Sequence, residues 1–460
     1  MRDVTMEELE ETLSGWPEKA PGPTGVTAKH IQKGGELLKE ILLEIINLLL
    51  DTKTMPEDRL TATICPIPKT GKTDWKAEID NTRPIALLEI SRKICLSIPN
   101  RQLTQALDRH NILKGRNPAA LPNTSTDDVL YTINAIMEDA RCSKKEAWFL
   151  LQDMRKAFDS VSPDALVDSM RRKKLPEEYI QLYQHIFANR QNQINTAYGP
   201  TEKYHMEAGI DQGGVECPLL WRIFYDPLLQ VIQEETGGYT YRSEHKKKHG
   251  GDGQAKELNM AGIAFMDDTT FIANSYDQIQ SIIEIAKEFY ILNDIEINPD
   301  KTHLIVINER EETKNKELKF GPNNETIPRS APDEGRRLLG VWISEDGRGK
   351  KQRQEINNYV DTSLSLLSRK RITDQQCAYI IKQVVYPSIA YKTKLLSWTK
   401  TEADKIGSKY MQLMRSKAYL SKEMPLAFLK HPHIYGIRIH GNELTKQRIT
   451  HLNQPQSRIR

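Results

Sequence analysis

The order of predicted elements between residues 148 and 307 constrains the fold of this 460-residue chain most strongly. Residues 148–151 (Trp-Phe-Leu-Leu) form a continuous apolar run, which is typical of a strand buried on both faces. Ser162 and Pro163 then predict the start of a helix. Residues 192–208 alternate like a hairpin, and residues 219–232 are again helical.

Two apolar runs, at residues 261–266 and 269–273, flank the pair Asp267-Asp268 and predict a tight hairpin with a two-residue polar turn. A helix near residues 277–292 and a strand at residues 303–307 complete the order. Strands and helices in this order predict an α+β fold, with an antiparallel sheet covered by helices on one face.

Outside this segment, two apolar runs at residues 64–67 and 85–88 predict a hairpin with a long polar loop. The chain carries 65 basic and 62 acidic residues, a net charge of +3, which taken alone argues against a general nucleic-acid binder. The region 350–460, however, has 21 basic and 7 acidic residues and is predicted to be mostly helical. Such a region predicts a localised polyanion contact, although a Lys-rich helical surface kept soluble by its charge has the same composition.

The five cysteines are scattered and never in a Cys-x-x-Cys spacing, which disfavours a disulfide framework or a zinc knuckle and fits a reducing compartment. The most apolar stretch, residues 36–50, is interrupted by charges and is too short to span a bilayer. No signal peptide is apparent at Met1. We therefore expect a nuclear or cytoplasmic protein without a membrane-spanning segment.

Three carboxylates are predicted to meet at one end of the sheet. Asp153 ends the buried strand, and Asp267 and Asp268 form the tip of the hairpin. Adjacent carboxylates raise each other's pKa unless a cation is present, and Mg²⁺ prefers oxygen ligands. Taken singly, Asp in a turn and Asp at a strand end are also ordinary structural features.

At this point several motifs resemble those of the reverse transcriptases of non-LTR (LINE-type) retrotransposons. Residues 265–268 (Phe-Met-Asp-Asp) resemble the aromatic-x-Asp-Asp box, and residues 151–161 resemble the first catalytic box, in which Asp is followed by Ala-Phe-Asp-x-Val. Gln212-Gly213 with the downstream Pro-Leu-Leu resembles a third box. Further similar boxes occur in the family's order, at residues 19–23, 67–69, 82–85, 298–302 and 338–341.

The resemblance implies a right-hand polymerase with fingers (1–147), a palm with an antiparallel ferredoxin-like sheet (148–345) and a basic helical thumb (346–460). It implies RNA-templated DNA synthesis with an RNA template, a DNA primer or nicked target DNA, and dNTPs, without a membrane. Two Mg²⁺ ions, or Mn²⁺, would be held by Asp153, Asp267 and Asp268 together with the backbone carbonyl of Met154.

The resemblance also implies roles for residues around the metals. Phe158 would be the steric gate against ribose, Lys301 would protonate pyrophosphate, and Gln212 and Gly213 would approach the nucleotide and template. Lys69 and Arg83 would grip the triphosphate. Each has a plainer interpretation: a core aromatic for Phe158, surface charges for the three cations, and an ordinary turn for Gln212-Gly213.

The chain departs from the family pattern at residues 115–121, where Gln-x-Gly-Phe is expected, and at Cys217, where Ser is usual. No apurinic-type endonuclease domain and no C-terminal Cys/His knuckle is expected, so the chain resembles a polymerase core. Two alternatives stay open: a decayed copy that binds RNA without polymerising, and an intron-maturase-like factor, for which no splicing domain is seen.

Overall fold

The structure is a computed structural model that describes residues 2–69, 78, 81–243, 256–314, 316–321 and 324–437. It divides into two compact units. The first comprises residues 1–129, 146–304 and 309–328, and the second comprises residues 130–145, 305–308 and 329–460. All the predicted site residues belong to the first unit.

Helices are the commonest secondary structure in both units. The α-helices are α1 (Met6–Ser14), α2 (Ala28–Gln32), α3 (Gly35–Thr52), α4 (Ile90–Arg109), α5 (Thr126–Cys142), α6 (Pro163–Arg172), α7 (Glu177–Asn189), α8 (Cys217–Thr236), α9 (Tyr276–Leu292), α10 (Lys350–Arg369), α11 (Asp374–Ile380), α12 (Tyr386–Lys392), α13 (Lys400–Lys417) and α14 (Leu426–Lys430). Short 3₁₀ turns cover Glu57–Arg59 and Pro299–Lys301, and a π-helical turn, Ile381–Val385, joins α11 to α12.

The strands are mostly short. They are β1 (Thr61–Pro68), β2 (Thr82–Leu87), β3 (Ala147–Gln152), β4 (Met154–Arg155), β5 (Gln191–Thr196), β6 (Gly199–Pro200), β7 (Tyr204–His205), β8 (Tyr239–Ser243), β9 (Lys256–Met260), β10 (Gly262–Phe265), β11 (Asp268–Ala273), β12 (Glu296–Ile297), β13 (His303–Ile307), β14 (Lys319–Phe320), β15 (Glu325–Thr326), β16 (Arg336–Leu338) and β17 (Val341–Ile343).

The central sheet has the strand order β10-β11-β3-β13, and its chain order is strand, helices, two strands, helix, strand. This is the ferredoxin-like β-α-β-β-α-β arrangement. Every residue of β3 is buried, as its continuous apolar run predicts. The predicted α+β fold with an antiparallel sheet is thus confirmed. β3 pairs antiparallel with β11, and β11 pairs antiparallel with β10.

The β10–β11 turn lies one residue earlier than the sequence predicts. Phe265 pairs with Asp268, so Met266 and Asp267 form the two-residue turn and Asp268 begins β11. The prediction placed Asp268 in the turn because Asp is a favoured turn residue. In the structure Met266 instead takes the left-handed conformation, with φ 57°.

A second sheet is built around the hairpin of β1 and β2, which the sequence predicts. β5 joins this sheet by pairing parallel with β1, and β6 and β7 pair with β5. The predicted alternating segment at residues 192–208 is therefore attached to the β1–β2 hairpin. Ala62, Ile64, Ala86 and Leu88 form its small apolar core.

Two helices of the first unit begin at serine residues that cap them. Ser162 caps α6 by accepting a hydrogen bond from the backbone N–H of Ala165, and Pro163 occupies the first turn. Ser275 caps α9 in the same way, through the N–H of Gln278. α8 carries a continuous set of buried side chains, Trp221 and Tyr225 among them, and packs against α6 and α9.

The second unit has a helical core of its own. Buried side chains of α10, α11, α12 and α13, including Ile356, Cys377, Ile389 and Tyr410, form one apolar cluster. Thr373 and Thr399 each form a capping box at the start of α11 and α13. The prediction of a helical region holds for its described part, up to residue 437. In the part of the chain that is described, no helix is long and apolar enough to cross a membrane.

Candidate active site

Asp153 follows β3 directly, at the point where the chain leaves the central sheet. Its backbone carbonyl accepts a hydrogen bond from the N–H of Asn298 at 2.9 Å. Its carboxylate oxygen Oδ2 accepts one from the Asn298 side chain at 3.3 Å and one from the Lys301 ammonium at 3.0 Å. The segment after α9 therefore fixes both the backbone and the carboxylate of Asp153.

Asp267 and Asp268 lie at the same end of the sheet as Asp153. Thr269 pairs with Gln152, so the residues that follow β3 and the turn that precedes β11 adjoin each other. Burial raises the pKa of Asp267 above its ordinary value, and the nearby charge of Asp153 raises it as well, while Lys301 lowers it. The carboxylates of Asp153 and Asp267 are thus close enough for their charges to interact.

A buried hydrogen-bond network connects the strand ends next to these acids with α8 and α9. The side-chain amide of Gln152, next to Asp153, exchanges hydrogen bonds with the Tyr290 hydroxyl at 2.8 and 3.0 Å. The Tyr290 and Tyr225 hydroxyls lie 2.7 Å apart, and Thr269, next to Asp268, donates to Tyr225 at 3.2 Å. The two strands that carry the acids are therefore tied together through α8 and α9.

Phe158 lies five residues after Asp153 and is half-buried. Its ring stacks on Trp221 of α8 with centroids 5.7 Å apart and planes inclined by 27°. Trp221 stacks in turn on Tyr225, at 5.4 Å and 18°. Phe158, the candidate steric gate, is thus the outer ring of a stack of three aromatic side chains. This packing restricts the motion of a ring that would act by steric exclusion.

Gln212 and Gly213 contact protein on two sides. The Gln212 side chain hydrogen-bonds to Asp159, and its backbone carbonyl accepts from the N–H of Ala86 in β2 at 3.0 Å. Gly213 has φ 155°, and a Cβ there would lie 2.3 Å from the Ala86 carbonyl oxygen. Glycine at 213 therefore permits a close approach of this loop to β2, a packing reason that its motif alone does not reveal.

Lys69 and Arg83 are both exposed at the end of the hairpin where the chain passes from β1 to β2. Arg83 pairs with Ile67 across the hairpin, and the backbone N–H of Lys69 donates to the Asn81 carbonyl at 2.8 Å. The charge of Lys69 lowers the pKa of Asp159, although burial makes the net shift of that carboxyl upward. Lys69 thus lies near the loop that carries Phe158.

Asp153 and Asp267 offer the oxygen ligands that a hard divalent cation prefers. Burial and mutual repulsion disfavour the charged form of Asp267 beside Asp153, and a cation would relieve both effects. Over the described ranges, however, no group of three or more His, Cys, Asp or Glu side chains is close enough to hold a metal ion. The metal set of Asp153, Met154, Asp267 and Asp268 therefore stays a prediction.

Three residues that contact the site were not assigned roles from the sequence. Asn298 orients Asp153, and it lies in a box that could have indicated this. Asp159 binds Gln212, and its place in the first catalytic box is the only sequence signal for it. Asn117 is 3% exposed and hydrogen-bonds to Met266, 149 positions away, which no local pattern indicates.

Comparison with known proteins identifies the class. The family described as reverse transcriptase (RNA-dependent DNA polymerase) matches residues 67–343, more than half of the chain. The chain therefore belongs to the reverse transcriptase family, and this confirms the resemblance read from its motifs.

Several curated relatives of the chain come from retrotransposable or mobile elements. Over 418 residues the chain is 22% identical to the Retrovirus-related Pol polyprotein from type-2 retrotransposable element R2DM of Drosophila melanogaster, covering 90% of this chain and 37% of that protein. It is 27% identical to the RNA-directed DNA polymerase from mobile element jockey of the same species, covering 52% of this chain and 27% of the relative. The chain spans about a quarter to two fifths of the length of these retroelement relatives.

Among solved structures, apo telomerase from Candida tropicalis, truncated from the C-terminal domain, matches 61% of this chain and 57% of its own. The identity is 14% and the TM-score is 0.39.

Proposed function

We propose that this chain is the core of an RNA-directed DNA polymerase of a non-LTR retroelement. The observation that carries the proposal is the placement of Asp153 and Asp267 at one end of a ferredoxin-like sheet, with their charges interacting and Lys301 beside them. Membership of the reverse transcriptase family and the retroelement relatives support it. The substrates would be dNTPs, an RNA template, and a DNA primer or nicked target DNA.

Asp153, Asp267 and Asp268, with the Met154 carbonyl, would hold two Mg²⁺ ions or Mn²⁺. When bound, the ions would neutralise charge on the attacking and leaving oxygens of phosphoryl transfer. Asn298 donates one hydrogen bond to the Asp153 carboxylate and one to its backbone carbonyl, and so holds this residue in place. Lys301, whose ammonium already lies at the edge of the site, would give a proton to the departing pyrophosphate.

The remaining residues would select and hold the nucleotide. Phe158, braced on Trp221, would fill the space of a ribose 2′-hydroxyl and exclude rNTPs by steric conflict. Lys69 and Arg83, exposed at the end of the hairpin where β1 passes to β2, would bind the triphosphate. Gln212 and Gly213 lie in the loop that is hydrogen-bonded to β2, and they would contact the nucleotide and the template.

The fingers, palm and thumb would cover residues 1–147, 148–345 and 346–460. Strand β5 lies within the proposed palm range but pairs with β1 of the proposed fingers. The sheet around β1 and β2 would therefore contain residues from both regions. The basic helices of the thumb would bind the template–primer duplex through phosphates, with an affinity that falls as salt rises.

Primer extension on a defined RNA template with Mg²⁺ tests this function. Purified protein should extend an annealed DNA primer with dNTPs and fail to extend it with rNTPs. Retention of template–primer without extension, under any divalent metal, would favour the decayed RNA-binding copy instead. Extension with rNTPs alone would indicate an RNA polymerase.

A further inference from the structure

The side-chain amide of Asn117 holds both backbone polar groups of Met266. Its Nδ2 donates to the Met266 carbonyl at 3.1 Å, and its Oδ1 accepts from the Met266 N–H at 3.3 Å. Asn117 is 3% exposed, so its side-chain amide has little access to water as an alternative partner. One side chain thereby replaces the strand partner that a turn residue lacks.

The turn needs such support because of the residue it contains. Met266 has φ 57°, a left-handed conformation that is unfavourable for residues with a Cβ and is usually taken by glycine. Asp267 follows Met266 directly, so the backbone angles of Met266 decide where the Asp267 carboxylate points. If Met266 relaxed to an ordinary conformation, Asp267 would leave its place beside Asp153.

Asn117 is itself held firmly. The backbone carbonyl of Arg116 accepts from the N–H of Ala264 in β10 at 2.8 Å, and the N–H of Gly115 donates to Asp226 of α8 at 2.7 Å. A Cβ at Gly115 would lie 2.7 Å from the Leu229 Cβ, so the loop is packed closely on α8. The Asn117 Oδ1 also accepts from the Ala119 N–H at 3.2 Å.

We propose that Asn117 is a positioning residue that holds Met266 in its left-handed turn and so aims the Asp267 carboxylate at the reacting centre. This inference rests on the proposed polymerase function. It also gives a purpose to residues 115–117, where the chain departs from the family pattern: the departing segment is a scaffold for the catalytic hairpin.

The experiment is a double-mutant cycle between Asn117→Ala and Met266→Gly. Glycine adopts the left-handed conformation without a Cβ penalty, so the turn should no longer need the amide. We expect Asn117→Ala alone to lower kcat by about tenfold to a hundredfold with little change in the dNTP KM, as for a carboxylate misplaced by about 1 Å. In the Met266→Gly background the same substitution should lower kcat by no more than about threefold.

The control is Asn293→Ala. Asn293 is half-buried and, like Asn117, donates to a backbone carbonyl, that of Phe289 at 2.8 Å, but it lies at the end of α9. It should retain kcat within about twofold. Circular dichroism and thermal unfolding establish that each variant is folded.

A second readout does not depend on activity. Calorimetric titration with Mn²⁺ should show weaker binding for Asn117→Ala than for the unsubstituted protein, and recovery in the double variant. Unchanged kcat and Mn²⁺ affinity in folded Asn117→Ala would overturn the inference, as would an equal loss in both Met266 backgrounds. If the unsubstituted protein itself extends no primer, it is the proposed function that fails, and the Mn²⁺ titration still decides whether Asn117 positions Asp267.

Discussion

The ammonium of Lys301 lies 3.0 Å from a carboxylate oxygen of Asp153, although 148 positions separate the two residues in the chain. The Lys301 side chain is 66% exposed and that of Asp153 is 27% exposed. An ion pair this exposed contributes little to stability. We therefore expect its value to lie in the reaction, where the ammonium is already beside a proposed metal ligand.

Substitution of Lys301 separates its charge from its acidity. Lys301→Arg keeps the positive charge beside Asp153, but a guanidinium is too weak an acid to give up a proton. We expect kcat to fall by about tenfold or more, with the dNTP KM changed by less than about twofold. Lys287→Arg, at a half-buried lysine of α9 whose ammonium donates to Asn324, is the control. Full activity of Lys301→Arg would assign Lys301 a purely electrostatic role.

Phe158→Ala should relax sugar selectivity. Removal of the ring opens the space that the proposed gate occupies, while Trp221 stays buried beneath it. Competition between dNTPs and rNTPs measures the ratio of the two kcat/KM values, which we expect to shift toward rNTPs by about tenfold or more. Phe187→Ala removes a buried ring on α7 and should leave that ratio unchanged. Unaltered discrimination in Phe158→Ala would remove the gate role.

Gly213→Ala should destabilise the first unit. A Cβ at this position would lie 2.3 Å from the Ala86 carbonyl, so the loop must separate from β2. We expect the free energy of unfolding to fall by about 1–3 kcal/mol. At Gly15 a Cβ would meet its nearest atom, the Glu11 carbonyl oxygen, at 3.9 Å. Gly15→Ala should therefore change stability by less than about 0.5 kcal/mol in urea denaturation. Equal stabilities would show that the loop moves freely from β2.

Reversal of charge at Arg369, Lys370 and Arg371 should weaken binding to template–primer duplex. The three side chains are exposed at the end of α10 and just beyond it. If they contact phosphates, their change to Glu should raise Kd and reduce the slope of log K against log salt by up to about 3. Single-turnover extension at saturating duplex should be unaffected. Lys203→Glu, beside β7, is the control, and a salt slope equal to that of the unsubstituted protein would place the duplex elsewhere.

The local patterns predict the central sheet because its strands carry their signal within a few residues. The apolar run before Asp153 and the two runs around Asp267 are readable as strands, and the ferredoxin-like order follows from them. The parallel pairing of β5 with β1 could not be predicted from the sequence, because it joins segments about 130 positions apart and depends on tertiary packing.

The site residues are likewise predictable where a local motif marks them, and not where a contact joins distant parts of the chain. Asp153, Asp267 and Lys301 are found from their boxes, and the structure brings them together. The turn position is wrong by one residue because Met has no intrinsic preference for a left-handed turn, and Asn117 supplies that preference from a distant loop. The close contact between Gly213 and Ala86 also could not be predicted from the sequence, because it depends on how the loop packs against β2.

Replacement of Asp267 should not harm the fold. Burial raises its pKa above the ordinary 3.8, and Asp153 adds to this, so the folded protein holds the proton more tightly than the unfolded chain. Stability therefore falls as pH rises from the ordinary to the raised pKa, and the loss persists above it. In metal-free buffer at neutral pH, Asp267→Asn should unfold at the same urea concentration as the unsubstituted protein or a higher one. A large loss of stability would contradict this.

Single-turnover primer extension by Asp267→Ala tests the central claim most directly. The reaction contains the full chain, an RNA template, an annealed DNA primer, dNTPs and Mg²⁺, with Asp300→Ala, an exposed acid near Lys301, as the control. We expect the unsubstituted protein and Asp300→Ala to extend the primer, while Asp267→Ala loses about a thousandfold or more in rate and still binds the duplex. Extension by Asp267→Ala at the rate of the unsubstituted protein would contradict the assignment of this sheet end as the polymerase active site.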